Sequence, residues 1–319
     1  MKKIITLQEI IQTKKRIHDY IHHTPLEYSE NLSRIHHTDI YLKLENFQVT
    51  GSFKARGAFN KVLTLPQNDQ NSGVIAPSAG NHGIGLGFAA KKLNMEAHIY
   101  LPEDADPSKV TMLESYGVKL KFFPSIEAAR QSALLDAKEN RLTFVSAYND
   151  EAMIAAGGTV GLEIVNDLSD VDIVIAGIGG GGLTSGICIA LKSINPNIQI
   201  WGVQTANSPT IAVWYQQGRA TSVNLKPSIA EGLSGPIEPE TITFPIILRY
   251  MDRIITVSDE DIVMGMKRLL HANYMVEPSG AAGVAALKYG EHELKGKKVV
   301  VVVTGRNVSW SRFKNLVEK

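Results

Sequence analysis

Cysteine is nearly absent from this chain: Cys188 is the only one in 319 residues. That excludes a disulfide framework within the chain and a cysteine-based zinc site. Neither sign of charge is in excess, with 33 basic residues against 32 acidic ones and a formal net charge of +1. No like-charge block is long enough to form a nucleic-acid tail, so neither nucleic acid nor an anionic membrane is expected as a partner. Long apolar runs are missing too. The start, Met1-Lys2-Lys3-Ile4-Ile5-Thr6, carries two lysines with no apolar stretch behind them, so neither a signal peptide nor a membrane span is expected. Thr6-Leu7-Gln8-Glu9 reads instead as a capping box that opens a helix. The cytoplasm is the default compartment.

What is present is globular composition, 44% hydrophobic and 20% charged, at a length that suggests two domains. Short β-branched runs predict strands at residues 40–45, 73–76, 97–101, 118–123, 142–145, 171–176, 198–203, 253–257 and 298–303. Stretches of helical length lie between many of them, at 85–93, 126–139, 152–165, 183–194, 259–271 and 281–291. This alternation predicts an α/β fold with mostly parallel sheets. Near-continuous apolar runs at 299–303 and 173–176 fit strands covered on both faces by helices. Polar clusters at 66–73 and 148–151 mark boundaries. They predict a small domain, 67–149, inserted into a larger one formed by 1–66 and 150–319.

Two segments carry chemistry. In Gly51-Ser52-Phe53-Lys54-Ala55-Arg56-Gly57 a lysine sits beside an aromatic ring and between glycines. A lysine amine becomes a nucleophile, and forms Schiff bases, when burial lowers its pKa. A surface turn is the plainer alternative. The predicted strand 171–176 runs into Gly177-Ile178-Gly179-Gly180-Gly181-Gly182, with a helical stretch from Leu183. Strand, glycine loop and helix N-terminus together bind phosphate, because bare N–H groups and the helix dipole converge there. A turn without ligand is the alternative, and the backbone entropy of four consecutive glycines weighs against it. Gly177, Gly179 and Gly182 also satisfy the dinucleotide pattern, but no acidic residue occurs between Leu183 and Ala230 to hold a ribose. No Gly-Lys-Ser/Thr closes the loop as a Walker motif requires. A compact phosphate monoester suits the site better.

A Schiff-base lysine with a phosphate cup is what pyridoxal 5′-phosphate needs. Ordered motifs along nearly the whole chain then resemble the fold-type II (tryptophan-synthase β-like) pyridoxal phosphate enzymes. Within them they resemble the threonine dehydratase and serine racemase group, threonine dehydratase most closely. The motifs are Lys43-Leu44-Glu45-Asn46-Phe47-Gln48, the stretch 50–57, Ser78-Ala79-Gly80-Asn81-His82-Gly83, Gly161-Leu162-Glu163-Ile164, the stretch 179–183, Glu277-Pro278-Ser279-Gly280-Ala281 and Thr304-Gly305-Arg306-Asn307. The resemblance implies two open, mostly parallel twisted sheets flanked by helices, with the cofactor in the cleft between domains. It implies that Lys54 carries the cofactor and moves the Cα proton, that Phe53 packs on its ring and that Asn81 bonds its 3′-oxygen. Gly179, Gly180, Gly181 and Gly182, with Leu183, would hold the phosphate. Thr304 would sit beside the pyridine nitrogen, where a Ser is usual. Ser78, Ala79, Gly80, Asn81 and His82 would receive the substrate carboxylate at a helix start. The His82 ring is left out of the chemistry, as a packed or capping histidine. Glu277 would lie near the cofactor, or simply start a helix.

Departures from the family pattern select among activities. Racemases of the group carry a Ser where this chain has Ala79, so two-base racemisation is disfavoured and dehydration favoured. His82 and Ala55 speak against O-acetylserine sulfhydrylases, which typically have Thr, and threonine synthases, which typically have Asp. The positions aligned with a divalent-cation site are Gln204 and Thr210, neither a carboxylate, so no such metal is expected. Arg306 replaces a usual Gly and either repels a proton from the ring nitrogen or points to solvent. Gly158 replaces a usual Gln for no reason visible in the sequence. The chain ends at Lys319, so a C-terminal regulatory domain is not expected. The implied reaction is β-elimination on L-threonine or L-serine, giving a 2-oxo acid and ammonia, in a dimer or tetramer. Another β-hydroxy amino acid, β-replacement, or cofactor binding without turnover are the alternatives.

Overall fold

The computed structural model describes residues 5–318, so most of the amino-terminal reading at Met1 to Ile4 lies outside them. Ten strands are present: β1 Leu26–Tyr28, β2 Asp39–Lys43, β3 Val74–Pro77, β4 Ala97–Pro102, β5 Lys119–Phe123, β6 Thr143–Phe144, β7 Ile173–Gly177, β8 Gln199–Thr205, β9 Arg253–Val257 and β10 Lys298–Val302. Six form one sheet in the order β1-β2-β10-β7-β8-β9 and four form another in the order β5-β4-β3-β6. Every pairing is parallel except that of β1 with β2. Each predicted strand has its counterpart, displaced by a residue or two at the ends. β1 is additional; its three residues are largely exposed and gave no periodic signal.

The central strands are buried on both faces, as their apolar runs predict. Val299 and Val301 of β10 join one core with Ile173 and Ile175, while Val300 and Val302 join the opposite core with Val174 and Ala176. Helices Asp259–His271 and Pro278–Ala286 cover the first face. Helices Glu151–Asp167 and Gly182–Ile194 cover the second. Cys188 lies inside that second core, where burial pushes its thiol pKa up. In the four-stranded unit Val74 and Ala76 pack to one side and Ile75 to the other.

Caps define where several helices begin. The Thr6 hydroxyl accepts from Glu9 N–H at 3.3 Å and the Glu9 carboxylate accepts from Thr6 N–H at 3.0 Å, the reciprocal box read from the sequence. Ser258 and Asp261 form a second box, and Ser125 and Asp150 cap the helices Ile126–Glu139 and Glu151–Asp167. The polar stretch at 66–73 holds a short helix, Gln67–Ser72. The segment after Phe53 is also a helix, Lys54–Leu63, whose Ala55, Ala58 and Phe59 enter the core of the four-stranded unit. Gly158 has a packing reason: a Cβ there would lie 2.5 Å from Ile10 Cδ1, so the amino-terminal helix seats Ile10 in the space a side chain would fill.

One buried ionic cluster ties these elements together. Arg56 donates to both oxygens of Glu45, at 2.8 and 2.7 Å, and to both oxygens of Glu163, at 2.6 and 2.8 Å. Lys43 Nζ lies 2.7 Å from Glu163 and donates to Thr24 O at 2.6 Å. All four charged side chains are at most 3% exposed, so no water screens them. Burial works against the Arg56 charge, but the two carboxylates outweigh it and raise its pKa. Arg56→Leu would leave two carboxylates inside the protein with only Lys43 between them. We expect a loss of about 3–5 kcal/mol, read from the urea midpoint at unchanged slope; a loss below about 1 kcal/mol would contradict this account.

Candidate active site

The amine of Lys54 is positioned by backbone pairing around it. Gly51, in the left-handed region at φ +73°, turns the chain so that Ser52 bridges Gly305. Phe53 N–H donates to Thr304 O at 3.2 Å, Arg306 N–H donates to Gly51 O at 2.9 Å, and the helix begins at Lys54. Lys54 Nζ donates to Ala147 O at 2.8 Å and lies 5.1 Å from the centre of the Phe53 ring. Among the described residues no carboxylate forms an ion pair with it. Burial pushes its pKa down to about 8, against the opposing pull of Glu277. A lysine in that range is partly neutral near pH 8, which is the state that attacks a carbonyl.

The glycine loop meets this amine. Phe53, Lys54, Ala147, Gly182 and Leu183 line one narrow void. β7 ends at Gly177, Gly181 takes φ +88°, and the helix Gly182–Ile194 starts at the next residue. Its first amides are free of side-chain caps. A Cβ on Gly180 would overlap the Tyr148 ring, and one on Gly179 would lie 2.6 Å from Gly232 O. The loop is thus a bare-backbone cradle of the kind that accepts a phosphate at a helix N-terminus.

On the other side stands the start of the helix Asn81–Lys92. The Ser78 hydroxyl accepts from Gly80 N–H at 3.2 Å and Gly83 N–H at 3.1 Å, which leaves its own proton free to donate. Ala79 packs with the core of the four-stranded unit. The His82 ring points elsewhere: Nε2 meets Val145 O at 3.0 Å, Nδ1 has no partner, and burial, with the Lys54 charge, pushes its pKa down to about 4. A neutral packed imidazole agrees with leaving it out of the chemistry.

Asn81 is held at both ends of its amide. Its Oδ1 accepts from Asn307 Nδ2 at 2.6 Å and its Nδ2 donates to Glu277 Oε1 at 2.6 Å. Asn307 Nδ2 also donates to Thr50 O at 2.8 Å, a carbonyl that can only accept, so the orientation of both amides follows. Burial pushes Glu277 up to about 7. Thr304 Oγ1 donates to Ser279 O at 3.4 Å. Arg306 is exposed with its guanidinium 5.3 Å from the Phe47 ring, turned away from the void, so the second of its two sequence readings applies. Gln204 donates to Ile178 O at 3.3 Å and accepts from Ala212 N–H at 2.8 Å, so both ends of its amide are engaged within the protein.

The site therefore brings together Phe53, Lys54 and the Gly182–Leu183 helix start, with Asn81 and Glu277 held as a pair. Tyr148, Ala147 and Asn307 were not among the sequence candidates. Tyr148 and Ala147 reach the site only through the return of the chain between the two sheets, and nothing local marks them. Asn307 could have been found, since it closes the Thr304-Gly305-Arg306-Asn307 motif.

A family described as pyridoxal-phosphate dependent enzyme matches residues 17–305. The chain belongs to that family. It is 38% identical over 318 residues to an L-threonine ammonia-lyase of Thermotoga maritima, covering 99% of this chain and 79% of the relative. Among solved structures it is similar to maize serine racemase, with a TM-score of 0.92 and 30% identity over 98% of this chain and 97% of that one. Threonine deaminase isoform 2 of Solanum lycopersicum matches with a TM-score of 0.93 and 28% identity over 98% and 87%. The residues present fit the family's cofactor: a bare cradle at a helix N-terminus, a buried amine without a carboxylate partner, and a clamped amide donor converge.

Capture of pyridoxal phosphate by the apoprotein requires a neutral Lys54 amine. Its pKa is lowered from 10.5 to about 8, so the neutral fraction climbs with pH, from about a tenth at pH 7 to about nine-tenths at pH 9. The rate of capture, followed by absorbance, should rise over that window and level off above it. A rate still climbing nearly tenfold per unit at about pH 9 would mean an unshifted lysine.

Proposed function

We propose that this pyridoxal phosphate enzyme is an ammonia-lyase that converts L-threonine to 2-oxobutanoate and ammonia, and L-serine to pyruvate and ammonia. The observation that carries the reading is the void shared by the Lys54 amine and the glycine-loop helix. The full-length similarity to an L-threonine ammonia-lyase supports the substrate class. A binding site for a small amino acid between the two sheets goes with it. We also read residues 67–149 as a small domain inserted in a larger one, and the protein as a cytoplasmic dimer or tetramer.

When bound, the cofactor would supply an aldehyde for an amine and a ring that withdraws electrons. The chain does the rest. Amides of the loop Gly179 to Gly182, with Leu183 behind them, hold the phosphate by hydrogen bonds and the helix dipole. Phe53 packs against the ring. Asn81 Nδ2, with one of its two protons given to Glu277, directs the other at the 3′-oxygen. Thr304 would place a neutral hydroxyl, whose proton goes to Ser279 O, beside the ring nitrogen in place of a carboxylate. The amides of Ala79, Asn81 and His82, with the Ser78 hydroxyl, would bind the carboxylate and so orient the Cα–H bond towards Lys54. Lys54 Nζ, in its neutral form, would take the Cα proton. Loss of the β-hydroxyl as water and later hydrolysis of the released enamine yield the 2-oxo acid and ammonia.

The racemase structure is a close structural relative, yet Ala79 has only a methyl group and cannot deliver a proton to the opposite face. Release of 2-oxo acid and ammonia from L-threonine and L-serine, with pyridoxal phosphate present, tests the proposal. Both products should form in equal amounts and fall by at least about a thousandfold in Lys54→Ala. Interconversion of L- and D-serine without keto acid, or product only when a thiol is added, would overturn it.

A further inference from the structure

Between the helix Thr210–Gln217 and the helix Thr243–Tyr250 runs a segment, residues 218–242, whose one helical turn is Glu231–Leu233. It crosses from the six-stranded unit to the four-stranded one. On the first it is anchored by Leu233, buried in the core, by Gly232 N–H donating to Ser279 Oγ at 2.9 Å, and by Arg312 donating to Glu231. On the second it makes two ionic contacts. Glu231 pairs with Lys109 at 3.2 Å, and Glu238 pairs with Arg130.

Those two cations lie on opposite faces of the four-stranded sheet. Lys109 belongs to the helix Pro107–Ser115, whose Leu113 packs with Val74, Ala76 and Ile99. Arg130 belongs to the helix Ile126–Glu139, whose Ala129 and Ala133 pack with Ile75 and Tyr100. A unit held on both faces cannot rock without stretching one contact. Glu238 also accepts from Asn149 Nδ2 at 2.5 Å, and its N–H donates to Tyr148 Oη at 3.3 Å. The Tyr148 ring lies against Gly180 of the phosphate cradle. Lys109, Arg130 and Asn149 thus report to one strap that also touches the cofactor loop.

We propose that Glu231 and Glu238 are positioning residues, a two-point clip that holds the Ser78 to Asn81 helix start at its working distance from the glycine loop. The proposal rests on the ammonia-lyase reading only for the choice of substrate. Opening the clip lowers the share of molecules in which the carboxylate site stands at its working distance from the glycine loop; substrate binding closes it again, so KM rises while proton transfer in the closed state is unchanged.

The test is Glu231→Gln with Glu238→Gln in the holoenzyme. KM for L-threonine should rise roughly two- to tenfold, as expected for two partly exposed pairs, with kcat within about twofold. Added salt should raise the KM of the parent and leave that of the variant flat. Removing the cations instead, Lys109→Gln with Arg130→Gln, should raise KM by a similar factor and add nothing further to the Glu231→Gln, Glu238→Gln variant. Amide hydrogen exchange supplies a readout that needs no substrate: residues 126–139 and 147–150 should exchange faster in the double variant than in the parent. If the protein proves to act on another substrate, faster exchange still supports the clip. Unchanged exchange, or effects of the cation and carboxylate variants that simply add, overturns it.

Discussion

Arg56, held between Glu45 and Glu163 with Lys43 beside them, is the interaction on which the rest of the architecture depends. Two positive and two negative charges cancel, and almost every hydrogen-bonding position of the guanidinium is filled by a paired carboxylate. The cluster joins three pieces distant in sequence: the end of β2, the helix that starts at Lys54, and the helix Glu151–Asp167. Because Arg56 lies two residues beyond Lys54, the angle at which that lysine enters the cleft is fixed from beneath. Hydrophobic residues replacing all four charged side chains at equal volume would give similar stability, but they would not set direction, and direction is what the amine requires.

Above that foundation the electrostatics of the cleft follow from dehydration. Lys54 and Glu277 are each pushed towards neutrality by burial, one down to about 8 and the other up to about 7. A carboxyl and an amine with such values both change protonation close to physiological pH, the condition under which proton transfers are cheap in both directions. Asn81 stands between the carboxyl and Asn307, so its amide cannot flip. The polar groups of the site are thus few, dry and individually fixed. The substrate side is carried by a different sheet from the phosphate side, with the Lys54 helix packed between.

Much of this was legible in the sequence where the signal is local. Helices Ile126–Glu139 and Asp259–His271 match their predicted ends because Ser125 and Ser258 cap them. The apolar runs of β7 and β10 announced strands buried on both sides, and Gly181 with its neighbours announced the cradle. The helix at Lys54 was not legible. It has no capping side chain, and its arginine and asparagine face inward, where their partners come from 11 to more than 100 residues away. Gly158 was opaque for the same reason: the group it accommodates, Ile10, lies in another helix. Tyr148 owes its place to the return of the chain between sheets. Periodicity and caps report on neighbours along the chain; they carry no record of which distant charge or ring will arrive.

The lone thiol adds one more consequence. Cys188 sits in the helix that begins at the cradle, sealed in the core with its ionisation suppressed. A thiol in that condition is invisible to oxidants and electrophiles as long as the helix stays packed. The catalytic cycle, which relies on a reactive aldehyde and a nucleophilic amine, therefore runs beside a sulfur atom that takes no part in carbonyl chemistry.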